Sequence, residues 1–578
     1  MHLRDRAIIG LLSLILVGLT GAVVAPSLSP SGPEASPDAS PIVIRPYIEG
    51  IVGTAVSVSP FSAQSVAERE IEALLFRGLV RLGPDDTLVG DLAERWTVDP
   101  SGAAWTFYLR PGLTWQDGEP ITAEDVLFTV GALSDPAYTG PGASSWREVT
   151  ATASDPLTVT LTLATPLGGF LQAATQGIAP AHLLSGVAPA DLAADPFGRK
   201  PVGSGAFRLA AMDDQRALLV PYVAELVSGG LGGPNDSAPP PTDSLATATP
   251  GAPRSVPLPY LDGIEFRFFG DVEALTSAWG LGEIDGAAGL PADVAKRLAG
   301  QGSARILRYP STTLFAVTLN LRPSHPEFRS AAVRKALLQA IDRDAIVRDV
   351  LGGLATRAEG LIPESSWAFD PAANEAIPYD PEAAQAALLA AGWKRADGGG
   401  WVAKGATEPL TVEILSPQAD ANPAAYAIAG AVASGWQAIG LTVAHTALAG
   451  AELVGDRLQT GSFDAAVIGT TIGLDPDLYP LLASTQATSR GSNYSGLQDS
   501  SLDPLLIKAR APGTDEERTA AYAALQVKLT AGQYVLPVAF GDVVVVARET
   551  LTGPDSRPVG APGDRFWDVL TWRLAEGR

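Results

Sequence analysis

Sixty-three acidic residues, four histidines and no cysteine set the chemistry open to this chain of 578 residues. The histidines are His2, His182, His325 and His445, and no two share a spacing such as HxxxH. A histidine-rich metal site is therefore not expected. The absence of cysteine removes disulfides, thiolate nucleophiles, Cys-ligated zinc and Fe–S clusters, and the lipid-modified cysteine of a bacterial lipoprotein. Gly203-Ser204-Gly205 lacks the flanks of a nucleophile elbow, and no GxxxxGK[ST] phosphate loop occurs. A Ser–His–Asp triad would have to use His182, His325 or His445, and His182 in Pro180-Ala181-His182-Leu183 reads as a capping or packing residue. Asp475-Pro476-Asp477 offers half of a calcium loop, but the glycine and distal glutamate do not follow. Carboxylate pairs suited to glycoside hydrolysis always exist among so many acids, and nothing singles one out. No catalytic residue, metal ligand or cofactor is assigned.

The bulk properties narrow the partners. Apolar residues make up 46% and charged residues 18%, enough to bury large cores. The length allows about four domains' worth of chain. The formal charge of −23, with no run of Lys/Arg longer than two, argues against nucleic acid. Residues 7–25 run without a charge behind Arg4 and Arg6. Nineteen residues at about 1.5 Å each span roughly 28 Å, close to a bilayer's hydrocarbon thickness. Residues 1–25 are thus expected to be a membrane anchor or a signal peptide, with everything that follows placed outside. Residues 26–41, rich in Pro, Ser and Ala, read as a flexible linker.

The elements that must position any site are mixed. Strands are expected at 42–48, 53–58, 158–163 and 264–269. A helix is expected over 65–82, where Ile71, Leu74, Leu75 and Leu79 recur near helical spacing. Residues 105–109 and 113–115 read as a hairpin turned by Pro111-Gly112. Thr122, three residues before Asp125, signals a helix start. Further helices are expected at 330–341, 381–391, 424–439 and 515–530. The class is α/β or α+β. Residues 228–257 hold seven Pro, five Gly and four Ser, and read as a disordered insertion.

Residues 92–96 (LAERW) and 105–126 (WTFYLRPGLTWQDGEPITAEDV) closely resemble the signature of the family 5 bacterial extracellular solute-binding proteins. These are dipeptide, oligopeptide and nickel receptors of ABC importers. Other pieces follow in the family's order: Leu75-Phe76-Arg77-Gly78-Leu79, residues 179–183 and 201–207, Leu319-Asn320, residues 333–343, and Tyr379-Asp380-Pro381 with Ala391-Gly392-Trp393. The resemblance covers roughly 42–578. It implies a periplasmic-binding-protein-like α/β fold of two lobes closing by a hinge. Lobe one would comprise 42–310 and the C-terminal return 540–578, lobe two 315–535. The crossings would lie near 308–320 and 533–542. Ligand would sit in the inter-lobe cleft, and Trp96, Trp105, Phe107 and Trp115 would pack lobe one.

The resemblance also implies a monomeric, non-enzymatic receptor that hands a peptide or similar-sized solute to ABC permease subunits. The candidate ligand residues are Thr470, Thr471, Asp475 and Asp477 in the cleft segment, with Trp367 and Tyr494 as walls. In the family's peptide receptors an aspartate four residues before the proline of this segment pairs with the peptide's α-amino group. Here that position is Ile472. Either Asp475 takes the role or the ligand is not a free-amine peptide. Sugars are an option, with eleven Trp as stacking faces. The Asn-Pro-x-Tyr-Trp segment usual after Phe207 is replaced by the Pro-rich insertion. An oligosaccharide receptor, a sensor uncoupled from transport, and more remotely a glycosidase are the alternatives.

Overall fold

The computed structural model describes residues 45–84, 87–222 and 259–575. The apolar segment 7–25, the linker 26–41 and the insertion 228–257 lie outside the described residues. Among those described, no helix is long and apolar enough to cross a membrane.

The first lobe begins with β1 (Tyr47–Val52) and α1 (Val66–Leu75). A separate four-stranded antiparallel sheet follows, from β2 (Ala93–Val98), β3 (Ala104–Leu109), then α2 (Ala123–Ser134), β4 (Val149–Asp155) and β5 (Thr158–Leu163). Its strand order is β2-β3-β5-β4. The chain returns through β6 (Phe207–Met212), β7 (Arg216–Pro221), β8 (Ile264–Phe269) and β9 (Gly286–Ala288). It then leaves along β10 (Ala304–Leu319), a strand of 16 residues.

The second lobe holds α3 (Ala331–Gln339), α4 (Pro381–Ala390), β11 (Thr411–Pro417), α5 (Pro423–Ala438), β12 (Thr442–Leu448) and β13 (Ala465–Thr471). After α6 (Asp503–Arg510) and α7 (Asp515–Gly532), β14 (Leu536–Arg548) runs back. One sheet passes through both lobes in the order β12-β11-β13-β10-β14-β9-β1-β8-β7-β6.

The pairing of β10 with β14 changes register midway. Ala304 to Pro310 pair with Arg548 to Asp542, and pairing resumes at Leu314 opposite Phe540. The two main cores divide at the same place. One gathers residues between Leu314 and Phe540, the other residues between Tyr47 and Tyr309 together with Val545 to Trp572. A register break between two separate cores is where a stiff ribbon bends at least cost. There Ser311 donates to the Gly541 carbonyl at 2.8 Å, and Arg308 Nε donates to the buried Asp542 carboxylate at 2.8 Å.

Several local expectations are met. Thr122 and Asp125 form a reciprocal capping box, and the strands 158–163 and 264–269 stand as read. Trp105, Phe107 and Trp115 are buried in the first core, with Trp96 packed against it. Others are corrected. The helix expected over 65–82 ends at Leu75, because Gly78 is pressed against the Thr175 carbonyl and the chain must turn. Residues 53–58 form no strand; the amides of Val56 and Ser57 donate instead to the Glu68 carboxylate at 2.9 and 3.3 Å. β3 does not pair with 113–115 but lies between β2 and β5. A period-two pattern marks a strand without naming its neighbours.

Candidate ligand-binding site

The segment expected to line the cleft leaves β13 and runs beside the register break. Thr471 pairs with Thr313 and Thr470 with Leu314, so both sit on the strand bordering the register break. Thr470 is partly buried and Thr471 exposed. The Thr313 and Thr471 hydroxyls lie 3.3 Å apart. Ile472 donates its amide to the Thr312 carbonyl at 3.0 Å and buries its side chain in the second core. Gly473, at φ +86°, takes a left-handed turn that a side chain would resist, and its amide reaches the Thr312 hydroxyl at 3.2 Å.

Asp475 and Trp367 are brought together by a residue the sequence did not flag. Arg518, on the second turn of α7, forms a bidentate pair with Asp475 at 2.7 and 2.8 Å. Its guanidinium lies 4.7 Å from the Trp367 ring centroid, and Trp367 meets Tyr522 edge-on at 5.3 Å. The Tyr522 hydroxyl closes the cluster on the Pro476 carbonyl at 2.7 Å. Asp475 is therefore half of an ion pair. Asp477 pairs with Arg510 at 2.8 Å and accepts from the Tyr479 amide, while burial pushes its carboxyl upward against Arg510. Tyr494 stands apart from this cluster. It packs against the small apolar group of Leu415, Leu448, Leu453 and Phe463, and burial raises its hydroxyl.

Lobe one meets this cluster through glycines. A Cβ on Gly169 would lie 2.7 Å from the Asp475 carboxylate, and the Gly168 amide donates to the Arg510 carbonyl at 2.8 Å. A Cβ on Gly102 would strike the Pro512 ring at 2.3 Å. Near the hinge, Gly560 lies against Leu474. The lobes are thus in contact on both sides of the segment 472–475. Among the described residues no His/Cys/Asp/Glu group is arranged to hold a metal ion.

Arg518 and the glycines carried no local sequence signal. Asp475 and Arg518 are 43 residues apart, and Gly169 is in the other lobe. Only a proposed pairing of lobes could have pointed to them.

Residues 87–492 match the family model of the bacterial extracellular solute-binding proteins, family 5. The chain belongs to this family. Among curated relatives of this family 5 protein, the glutathione-binding protein GsiB of Escherichia coli O1:K1 / APEC is 26% identical over 341 residues. That match covers 58% of this chain and 59% of GsiB, so the similarity spans about three fifths of that relative. The oligopeptide-binding protein AppA of Bacillus subtilis (strain 168) is 24% identical over 494 residues, 84% of each chain. Two solved structures share the fold. AppA from Bacillus subtilis with a nonapeptide superposes with a TM-score of 0.73 at 22% identity, covering 92% of this chain and 100% of that one. NikZ from Campylobacter jejuni with Ni(L-His) gives 0.73 at 22% identity, covering 91% and 99%. The fold is the two-lobed one of periplasmic binding proteins.

Proposed function

We propose that this protein is the extracytoplasmic substrate-binding component of an ABC importer, capturing a peptide or similar-sized solute between its lobes and delivering it to a membrane permease. The observation that carries this reading is the hinge: two separate cores joined by β10 and β14, whose register breaks between Pro310 and Leu314. A ligand that contacts both lobes binds the closed arrangement better than an open one, and so drives closure. A permease can then recognise the closed shape. Thr470 and Thr471 border the cleft floor, and the Asp475–Arg518–Trp367 cluster forms its lobe-two wall. Family membership and the glutathione- and oligopeptide-binding relatives support the solute class.

Native mass spectrometry of the full chain, purified without denaturation, tests the reading. Release of bound material is expected to yield a ladder of peptide masses. A single sugar-like mass would overturn the peptide reading. If the protein is empty, a thermal-shift screen of peptides against oligosaccharides decides, with stabilisation by oligosaccharides alone overturning it.

A further inference from the structure

A cavity of about 530 Å³ opens on lobe one, lined by Pro60, Gln64, Arg69, Glu72, Thr139 and Gln176, among others. Its position follows from the sheet. β9 is antiparallel to β14, so it runs toward the hinge. β1 is parallel to β9, so its carboxyl end also points toward the hinge. The loop after β1 and the first turns of α1 therefore lie on the side facing lobe two, the end of a parallel sheet where ligands bind. Two further contacts fix the place. Gly563 packs on Ala73 and the Arg69 carbonyl, three residues after Gly560 touches Leu474. Gln176 follows the short helix Phe170–Ala173, which begins beside Gly169 and its neighbour Asp475.

One charged group lines this cavity without a protein partner: among the described residues the partly buried Glu72 accepts no side-chain hydrogen bond and forms no ion pair. Arg69, one helical turn earlier, is exposed at the cavity's mouth and feels Glu70 and Glu68. The Glu72 carboxylate is tucked against Gly177, where a Cβ would come within 2.3 Å of its Oε1. Burial alone pushes its carboxyl up to about 7. A carboxylate partly withdrawn from water and given no donor by the protein favours a cationic ligand group.

We infer that the cavity around Glu72 is the lobe-one subsite for the ammonium group of the ligand, a role that Ile472 in lobe two cannot perform. Arg69 offers donors to a carbonyl or carboxylate of the same molecule. The inference rests on the inter-lobe cleft being the ligand site. It commits the protein to ligands with a free amine.

The test uses the full chain and two random tripeptide libraries, one with free amino termini and one N-acetylated, read by native mass spectrometry. The free library is expected to be retained at least tenfold better, since an unpaired charged hydrogen bond costs about a factor of 10 to 100. Glu72→Gln should abolish the discrimination and Glu72→Asp restore part of it, with single cooperative melting transitions showing both variants folded. Retention of free peptides should weaken about fivefold between pH 7.5 and 6, as Glu72 takes up its proton, and Glu72→Gln should lose that dependence. Equal retention of both libraries, or a Glu72→Gln variant that still discriminates, overturns the inference while leaving the peptide reading intact. Retention of neither library, with oligosaccharides bound instead, overturns both.

Discussion

Replacing Arg565 by methionine removes one cation from a site holding two anions. The Arg565 side chain is 1% exposed, and Glu49 and Glu70 are 0% and 1% exposed. Arg565 donates to Glu70 at 2.8 and 3.0 Å and to Glu49 at 3.2 Å, and Tyr47 donates to Glu49 at 2.8 Å. This cluster ties β1 and α1 to the returning C-terminal segment. Without the guanidinium, two carboxylates face each other in a dry core. The cheapest escape is proton uptake, which at pH 7.5 costs about 4 kcal/mol per carboxylate measured from an ordinary pKa near 4.3. Leaving one charged instead costs about 3–5 kcal/mol. Either route gives a deficit of about 7–9 kcal/mol, comparable with the whole stability of an ordinary domain. The folded variant then holds one or two more protons than its unfolded chain. Its stability falls as pH rises, by about 1.4–2.7 kcal/mol per unit between pH 5.5 and 7.5. Urea unfolding followed by the chain's tryptophan fluorescence measures this, and Trp572, packed against Phe566 at 5.4 Å, reports from beside the cluster. The triple variant Glu49→Gln/Glu70→Gln/Arg565→Met should recover most of the loss. A deficit below about 1.5 kcal/mol at pH 7.5, or one that does not change with pH, would refute the reasoning.

Three further outcomes are expected. Gly169→Val pushes branched atoms onto the Asp475 carboxylate, where a Cβ alone would already stand at 2.7 Å, so small-angle scattering should report a more open chain and titration a weaker ligand affinity. Asp475→Asn leaves Arg518 with a neutral partner in a partly buried site; a loss of about 1–3 kcal/mol should appear in thermal melts, together with loosened Trp367 stacking visible as altered fluorescence. Glu72→Gln should stabilise the unliganded chain above pH 7: a carboxyl raised to about 7 costs stability as pH climbs from its unfolded value through 7, and the amide removes that cost. Melts at pH 5 and 8 check the sign, and an equal effect at both would contradict it.

What the sequence determined by itself was local or carried by long motifs. Thr122 and Asp125 announce a helix start because a capping box needs only residues three apart. Residues 158–163 alternate, and 105–126 bear the family signature, so a strand, the family and its two-lobed fold were legible. The absence of cysteine and the spacing of four histidines settled which chemistries to set aside before any fold was considered. What only the tertiary structure decided was partnership. The partners of β3, the end of α1 at Leu75, the pairing of Asp475 with Arg518, and the lone Glu72 in its cavity each depend on atoms distant in the chain. A carboxylate reads the same in a sequence whether it is neutralised by an arginine 43 residues away or left facing an empty space. Desolvation and ion pairing are properties of the folded surroundings, so the sequence could name Asp475 and Asp477 as candidates but neither the arginines that pair with them nor Glu72.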